Sequence, residues 1–279
     1  MNAKYYWRKV FDHDPRFPVL SDKLAMRDFC SEIRPDLTAP EILWVGDDAR
    51  AIPNELLSED VVVKTNHASG VNIFVRNGKV DRFAMEARLA RSLRRTHGRR
   101  SLEWGYFDIL PRIFVERVLP GGPCLQEVKF YTFGRHIERV FRSIDRHGNA
   151  AAQIYVPDTQ GVLRLSEKAA SAVNRTASDP PPETWEHMIE IARDLGEPFD
   201  HVRVDLLTDG NEVWMGEMTL YNEGGRHPLM GTDPDSPMCQ AWDIRRSWFL
   251  TQKQPGWRGC YARVLNEVLD REGETCAIT

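Results

Sequence analysis

Residues 201–220 read HVRVDLLTDGNEVWMGEMTL. Two apolar runs flank TDGN, and an Asp-Gly step between such runs is a strong hairpin signal, because glycine accepts the positive φ of a tight turn. Two antiparallel strands are therefore expected, which excludes an all-helical chain. Arg203 and Asp205 are two residues apart and share a face of their strand; Glu217 and Thr219 do the same on the partner strand. Val202, Val204, Leu206 and Met218 flank them, so the polar groups gather on one face of an otherwise apolar hairpin. A cross-strand salt bridge accounts for the charges but not for their confinement to one face. Two carboxylates with a hydroxyl oxygen from Thr219 suit magnesium, which takes a few protein oxygens and completes its shell with phosphate and water. Arg203 beside them is placed to hold a phosphoryl group.

An earlier stretch offers the complementary charge. Residues 61–75 read VVVKTNHASGVNIFV, two strand-like runs joined by a polar loop that Lys64 enters. Thr65, Ser69 and Gly70 follow it. Glycine lets the backbone approach an anion, exposed N–H groups donate to it, and the ammonium neutralises part of its charge, so the loop suits a polyphosphate. Alone it also reads as a common solvated hairpin. Paired with a magnesium hairpin late in the chain, it forms the second half of an ATP site.

Composition sets the outer bounds. A chain of 279 residues can bury a substantial core in one or two domains. Its 41 acidic and 37 basic side chains leave a formal charge of −4, which gives no whole-chain electrostatic case for nucleic acid. Locally, Arg88, Arg91, Arg94, Arg95, Arg99 and Arg100 are dense enough to meet an anionic polymer, although their spacing also suits the solvated face of a helix. Five scattered cysteines without CxxC spacing fit neither a disulfide framework nor a zinc site and suit a reducing cytoplasm. The amino terminus carries charges and aromatics where a signal peptide needs an apolar core, and no run of about twenty apolar residues occurs, so neither export nor a membrane span is expected.

Between these landmarks helices and antiparallel strands mix, which places the chain in the α+β class. Leu24, Ala25, Phe29 and Ile33 predict a half-buried helix starting at Ser21 or Asp22, before Pro35 and Pro40 break it. ILWV is a short strand at 42–45, the arginine-rich segment 84–97 an exposed helix, and LPRIFVERVL a strand at 110–119 that ends in PGGP. Residues 127–148 alternate as two strands turning at Phe133 to Arg135, and residues 157–183 are expected to cross the surface as a loop. Trp185, Met188, Ile189, Ala192 and Leu195 mark one face of a helix that Gly196 stops, and a second helix is expected near 258–271.

The segments SDKLAMRDF, VVVKTNHASG, EWGYFDILPRIFVERVL, EVKFYTFGR, VRVDLL and MGEMTLYNEGG stand in that order between residues 21 and 225. Together they resemble the ATP-grasp superfamily and, within it, the teichuronopeptide-biosynthesis (TupA-like) branch. The resemblance implies an ATP-grasp fold in which two α+β subdomains, residues 21–115 and 116–225, clamp ATP. Residues 1–20 would be an amino-terminal extension, and the aromatic-rich residues 226–279 a candidate acceptor-binding cap. Lys23 and Lys64, with Ser69 and Gly70 of a lid loop TNHASG, would contact the phosphates. The backbone from Glu116 through Arg117 and Val118 to Leu119 would hydrogen-bond adenine, Glu127 would hold the ribose hydroxyls, and Lys129 would point to the phosphates or an acyl phosphate. Asp205, Glu217 and, more weakly, Thr219 would hold Mg2+, while Arg203, Lys129 and Lys64 would supply the catalytic positive field.

Departures narrow this picture. The branch usually reads Asp-Tyr-Lys where this chain has Glu127, Val128 and Lys129, and Thr219 stands where many ATP-grasp ligases have asparagine, so Thr219 is either a weak ligand or only orients Glu217. Such ligases commonly carry a full amino-terminal domain, for which the residues before Ser21 are too few. Acceptor binding then falls to the carboxy-terminal segment or to a second chain, and a homodimer is one expectation.

The implied reaction is ATP-dependent ligation of small-molecule carboxylate and amine substrates. A uronic acid or amino acid destined for a cell-surface polymer is one choice, and a peptide-like secondary metabolite another. A kinase acting on a sugar or inositol hydroxyl, and a module that holds nucleotide without using it, are the competing classes. Several single residues stay open: His67 as phosphate donor or turn cap, His227 with Arg226 at the acceptor or in solvent, and Arg142 facing the site or not. Trp242, Trp248, Trp257 and Tyr261 form either a sugar-stacking platform or core.

Overall fold

The two lysine- and carboxylate-bearing hairpins end up in two different antiparallel sheets. The computed structural model describes residues 1–122, 125–144, 151–166, 179–226 and 233–276, so His227 lies outside the described residues. Three helices open the chain: α1 (Asn2–Phe11), α2 (Phe17–Ser21) and α3 (Ala25–Ile33). The helix expected from Ser21 thus begins later. Ser21 closes α2, and Asp22 turns the chain, its carboxylate accepting from the Leu24 N–H at 2.9 Å rather than capping α3.

The first sheet contains β1 (Ile42–Gly46), β2 (Val61–Thr65), β3 (Asn72–Val75) and β4 (Ile113–Arg117), in the order β1-β4-β2-β3. The β2–β3 hairpin pairs Val61 with Val75 and Lys64 with Asn72. Because side chains alternate, Val61, Val63 and Val115 meet Met85 and Leu89 of α4 (Arg82–Leu93) in one core, while Lys64 and Glu116 project from the opposite face. Only the first part of the arginine-rich segment is helical; α4 ends at Leu93, and the chain beyond it loops back.

The second sheet contains β5 (Gln126–Phe133), β6 (His136–Ile144), β7 (Ala151–Pro157), β8 (Leu163–Leu165), β9 (Val202–Thr208) and β10 (Val213–Thr219), in the order β10-β9-β5-β6-β7-β8. Short β8 falls in the stretch expected to be loop, where the unpaired edge of β7 offers it a hydrogen-bonding partner; residues 167–178 of that stretch lie outside the described residues. Val128, Phe130, Val204 and Leu206 face α5 (Trp185–Gly196), whose apolar stripe is buried as its spacing requires. Gly196 ends that helix under close contact: a Cβ there would stand 2.5 Å from the Thr132 hydroxyl.

The chain termini complete this second core. Met1, Tyr5 and Phe17 are buried in it, the Tyr5 hydroxyl lies 2.8 Å from His201 Nε2, and Arg8 pairs with Asp200 at 2.6 Å. After β10 come α6 (Pro237–Ala241), α7 (Trp248–Thr251) and α8 (Gly256–Cys276). Trp242 is 1% exposed and its indole N–H donates to Asp200 at 2.6 Å, whereas Tyr261 packs on Phe11 and Phe249 in a separate small cluster. Trp257 is 67% exposed. Trp242 is therefore core, apart from Trp257 and Tyr261, which both contact the Phe11 ring. Among the described residues no helix is long and apolar enough to cross a membrane.

Candidate functional site

The carboxylate hairpin departs from simple alternation at one residue. Val213 to Met215 pair with Thr208 to Leu206, but Glu217 pairs with Asp205 and Thr219 with Arg203, so Gly216 is an extra residue, a β-bulge. Without it, Met215 and Glu217 would share a face. With it, Met215 and Met218 both enter the core while Glu217 turns to the other side with Asp205. Glycine is needed here because a Cβ at residue 216 would stand 2.7 Å from the Asp205 carbonyl oxygen. Strand β5 lies on the other side of β9 and sets Lys129 opposite Asp205 and Tyr131 opposite Arg203. Glu127, Lys129, Arg203, Asp205, Glu217 and Thr219 thus occupy one face of three adjacent strands.

Their bonds order the group. Arg203 donates from Nε and Nη2 to the two Asp205 oxygens, each at 2.7 Å, and also to Asn222 and to the Thr219 hydroxyl, the last at 2.9 Å. The Thr219 hydroxyl in turn donates to Glu217 at 3.0 Å. Lys129 stands 3.3 Å from Glu127 and 3.6 Å from Asp205. Burial pushes the Asp205 carboxyl above its ordinary value against the pull of Arg203. Burial also opposes ionisation of Glu217, but Lys23 and Arg203 outweigh it and hold that carboxyl below its ordinary value. Glu217 is therefore a ready anionic ligand. Asp205 is held by a guanidinium fork and keeps lone pairs for a cation. Among the described residues no group of three or more His, Cys, Asp or Glu could hold a metal by itself. A two-carboxylate set fits an ion whose remaining ligands are phosphate and water.

On the first sheet, the Lys64 ammonium meets the Glu116 carboxylate, which also accepts from Arg27 of α3. Glu116 is only 3% exposed, so its side chain anchors two cations. The backbone N–H groups of Arg117 and Val118, expected at adenine, donate to Glu41 O at 2.9 Å and Asp60 O at 3.2 Å; neither can reach a base without breaking a chain bond. Lys23 donates to the Ala68 carbonyl of the TNHASG loop. Burial lowers its pKa, while Glu217 from the second sheet raises it and Lys64 from the first opposes it, so Lys23 lies within the field of both halves. The loop is pinned at its base by Asn66, whose amide accepts from the Arg112 N–H at 2.7 Å. His67 is buried and its Nε2 lies 3.1 Å from Ser92 O, which makes it a tie between the loop and the end of α4. Arg142 is likewise structural: it lies across from Val128 on the core side of the sheet and donates to Gln126, Gln153 and Pro180.

Between the two halves lies a cavity of about 630 Å³. Lys129, Arg203, Glu217 and Thr219 form one wall, and Ser69 belongs to the other. Lys23, Lys64, Gly70, Glu127, Asp205 and residues 116–119 stand outside this wall. The cavity also receives His97, Glu103, Tyr106 and Tyr131, for which no role was expected. Glu103 and Tyr106 sit in EWGYFD, a segment already singled out, but nothing in its spacing marks either side chain as facing a cleft. Burial lowers the His97 pKa, and its ring meets Tyr106 edge-on at 4.7 Å.

A family model described as TupA-like ATP-grasp matches residues 3–238. No curated protein matches the chain. Solved structures that resemble it include the ATP-grasp ligase PsnB complexed with a phosphomimetic variant of minimal precursor, Mg and ADP, at 15% identity and a TM-score of 0.42, covering 84% of this chain and 62% of that one. D-alanine–D-alanine ligase from Bacillus anthracis resembles it at 16% identity and TM-score 0.41, over 72% of this chain and 57% of that one. The same enzyme from Helicobacter pylori does so at 10% identity and TM-score 0.44, over 80% and 58%. The chain thus spans less than two thirds of the length of these three structures.

Proposed function

This chain belongs to the TupA-like ATP-grasp family, and we propose on that premise that it is an ATP- and Mg2+-dependent ligase joining a carboxylate to an amine. The observation that carries the reading is the cross-strand pairing of Asp205 with Glu217 on one face of the sheet, where Glu217, Lys129 and Arg203 line the cavity and Asp205 lies buried behind them. A carboxylate does not acylate an amine at neutral pH because oxide is a poor leaving group. Attack of a carboxylate oxygen on the γ-phosphorus of ATP breaks the bond to the β-phosphate oxygen and yields an acyl phosphate and ADP. The amine then forms the C–N bond as the C–O bond to phosphate breaks, and the nitrogen loses one proton.

The residues need only position the partners and neutralise charge. Magnesium, held by Asp205 and Glu217, would draw charge from the phosphate oxygens. Lys129 is placed between Glu127 and Asp205 to meet the transferring phosphoryl group, and Arg203 holds the Asp205 carboxylate while lining the cavity. Thr219 orients Glu217 and Arg203 by donating to one and accepting from the other. Lys64 and Lys23 complete the positive side, with Ser69 in the loop that faces the cavity. The substrates we favour are a uronic acid or amino acid and an amine destined for a cell-surface polymer.

The test incubates the protein and Mg·ATP with glucuronate or L-glutamate as acid and a panel of amino acids as amine. Free phosphate released only when both partners are present, with an amide by mass, is the expected result. A stable phosphoester formed with one partner alone would establish a kinase instead, and nucleotide binding without turnover would leave a binding module.

A further inference from the structure

A second cavity of about 630 Å³ is lined in part by the loop that carries Ser69. Arg94, Arg95, Arg99 and Arg100, all exposed, line it, and among the described residues no acidic side chain does. Ser69, His97 and Ser101 line both this cavity and the cleft described above, so the two adjoin, with Ser69 Oγ and His97 Nε2 3.3 Å apart in the wall they share. The carbonyl end of α4 favours nearby cations and accounts for Arg94 and Arg95. It does not account for Arg99 and Arg100, which come after the chain reverses at Gly98, φ +72°, and return to the same cavity. The reversal is tight: a Cβ at residue 98 would stand 2.8 Å from the Glu103 side chain. Arg88 fixes the rim by donating to the Gly70 carbonyl at 2.9 Å.

Four arginines around one concave surface, with no carboxylate among the described lining residues, raise the local concentration of anions. Their planar forks match phosphate and carboxylate oxygens in pairs. A pocket, unlike a basic stripe, accommodates one compact anionic group and not a nucleic-acid backbone. The cations placed for the triphosphate, Lys23, Lys64 and Lys129, lie outside it. We propose that the arginine cavity binds a second anionic group of the substrate, a phosphate or a carboxylate, while the reacting group lies in the adjoining cleft beside Lys129 and Arg203. This rests on the ligase reading above. It makes the preferred substrate at least dianionic, with its two charged ends on either side of the wall that Ser69 and His97 share.

The experiment measures equilibrium binding of pyrophosphate and of tricarballylate to the full chain at saturating Mg·ADP, so that the nucleotide site is occupied. It compares wild type, Arg99→Glu/Arg100→Glu, and Lys253→Glu/Arg263→Glu as a control with the same charge change on exposed positions elsewhere. Wild type and control are expected to bind one of the anions, and the Arg99/Arg100 variant to bind it at least tenfold more weakly with ADP affinity unchanged. Preference for pyrophosphate assigns the site to a phosphorylated end, and preference for tricarballylate to a carboxylate end. No binding to wild type, equal weakening in the control, or a parallel loss of ADP affinity would overturn the proposal. Failure of the ligase reading is separate: no acid- and amine-dependent release of phosphate, with the anion still bound.

Discussion

Glu217 stands directly across from Asp205 only because Gly216 is left out of the pairing between β10 and β9. One residue with no side chain thereby sends Met215 and Glu217 to opposite faces of the sheet. Adding a methyl group at Gly216 would place it 2.7 Å from the Asp205 carbonyl oxygen. Gly216→Ala is expected to cost about 1–3 kcal/mol of stability, as overpacking does. It should also abolish magnesium-dependent ATP turnover, because relief of the clash moves Glu217 away from Asp205. Thermal unfolding and turnover measured together check this; an alanine variant with unchanged turnover would refute the role of the bulge.

Removing the charge of Glu217 separates metal binding from folding. Its partners within the site are the Thr219 hydroxyl and the field of Lys23 and Arg203, all of which glutamine can still face. Glu217→Gln should retain the melting temperature within a few degrees and bind ADP without Mg2+ as before. The gain in ADP affinity that Mg2+ confers should disappear, and turnover should fall by at least about a hundredfold, ~2.7 kcal/mol in the barrier. Calorimetric titration of ADP with and without Mg2+ reads the first, and phosphate release reads the second.

Trp242 tests the assignment of its own ring to the core. It is fully enclosed, meets the Tyr5 ring edge-on at 4.9 Å, and donates to Asp200, the partner of Arg8. Trp242→Ala should destabilise the protein by about 3–5 kcal/mol, with Trp257→Ala, at an exposed ring, within about 0.5 kcal/mol of wild type. Denaturant unfolding compares the two; a mild Trp242 variant that specifically lost sugar-substrate binding would restore the stacking alternative.

Asp12 gives the fold a pH dependence of its own. Burial pushes its carboxyl up to about 7, with Asp200 adding to the rise and Arg8 opposing it. A folded-state value above the unfolded 3.8 means that the native state binds the extra proton. Stability from this group is therefore highest below about pH 4 and declines as pH rises towards about 7, by at most about 1.4 kcal/mol per unit. Asp12→Asn keeps an acceptor for the Phe249 N–H, 2.8 Å away in the wild type, but cannot ionise. Unfolding free energies at pH 5 and pH 8 should show the variant gaining on wild type as pH rises; parallel curves would remove Asp12 as the cause.

Local patterns in the sequence determined a large part of this architecture. Alternation and the Asp-Gly turn set both strands of the carboxylate hairpin, the lysine hairpin was legible from its two β-branched runs, and the spacing of Trp185, Met188, Ala192 and Leu195 set the buried stripe of α5. These signals are short in range, because side-chain direction within a strand or helix repeats every few residues whatever lies beyond. What tertiary structure alone decided depends on partners distant in the chain. The pairing of Lys64 with Glu116, 52 residues away, is of this kind, and so is the burial of Arg142 on the core side. Residue 216 of the bulge must be glycine because the Asp205 carbonyl occupies the space a side chain would need, and Arg99 and Arg100 line a cavity because the chain reverses at Gly98. Periodicity names the faces of an element, but only packing between elements determines what each face meets.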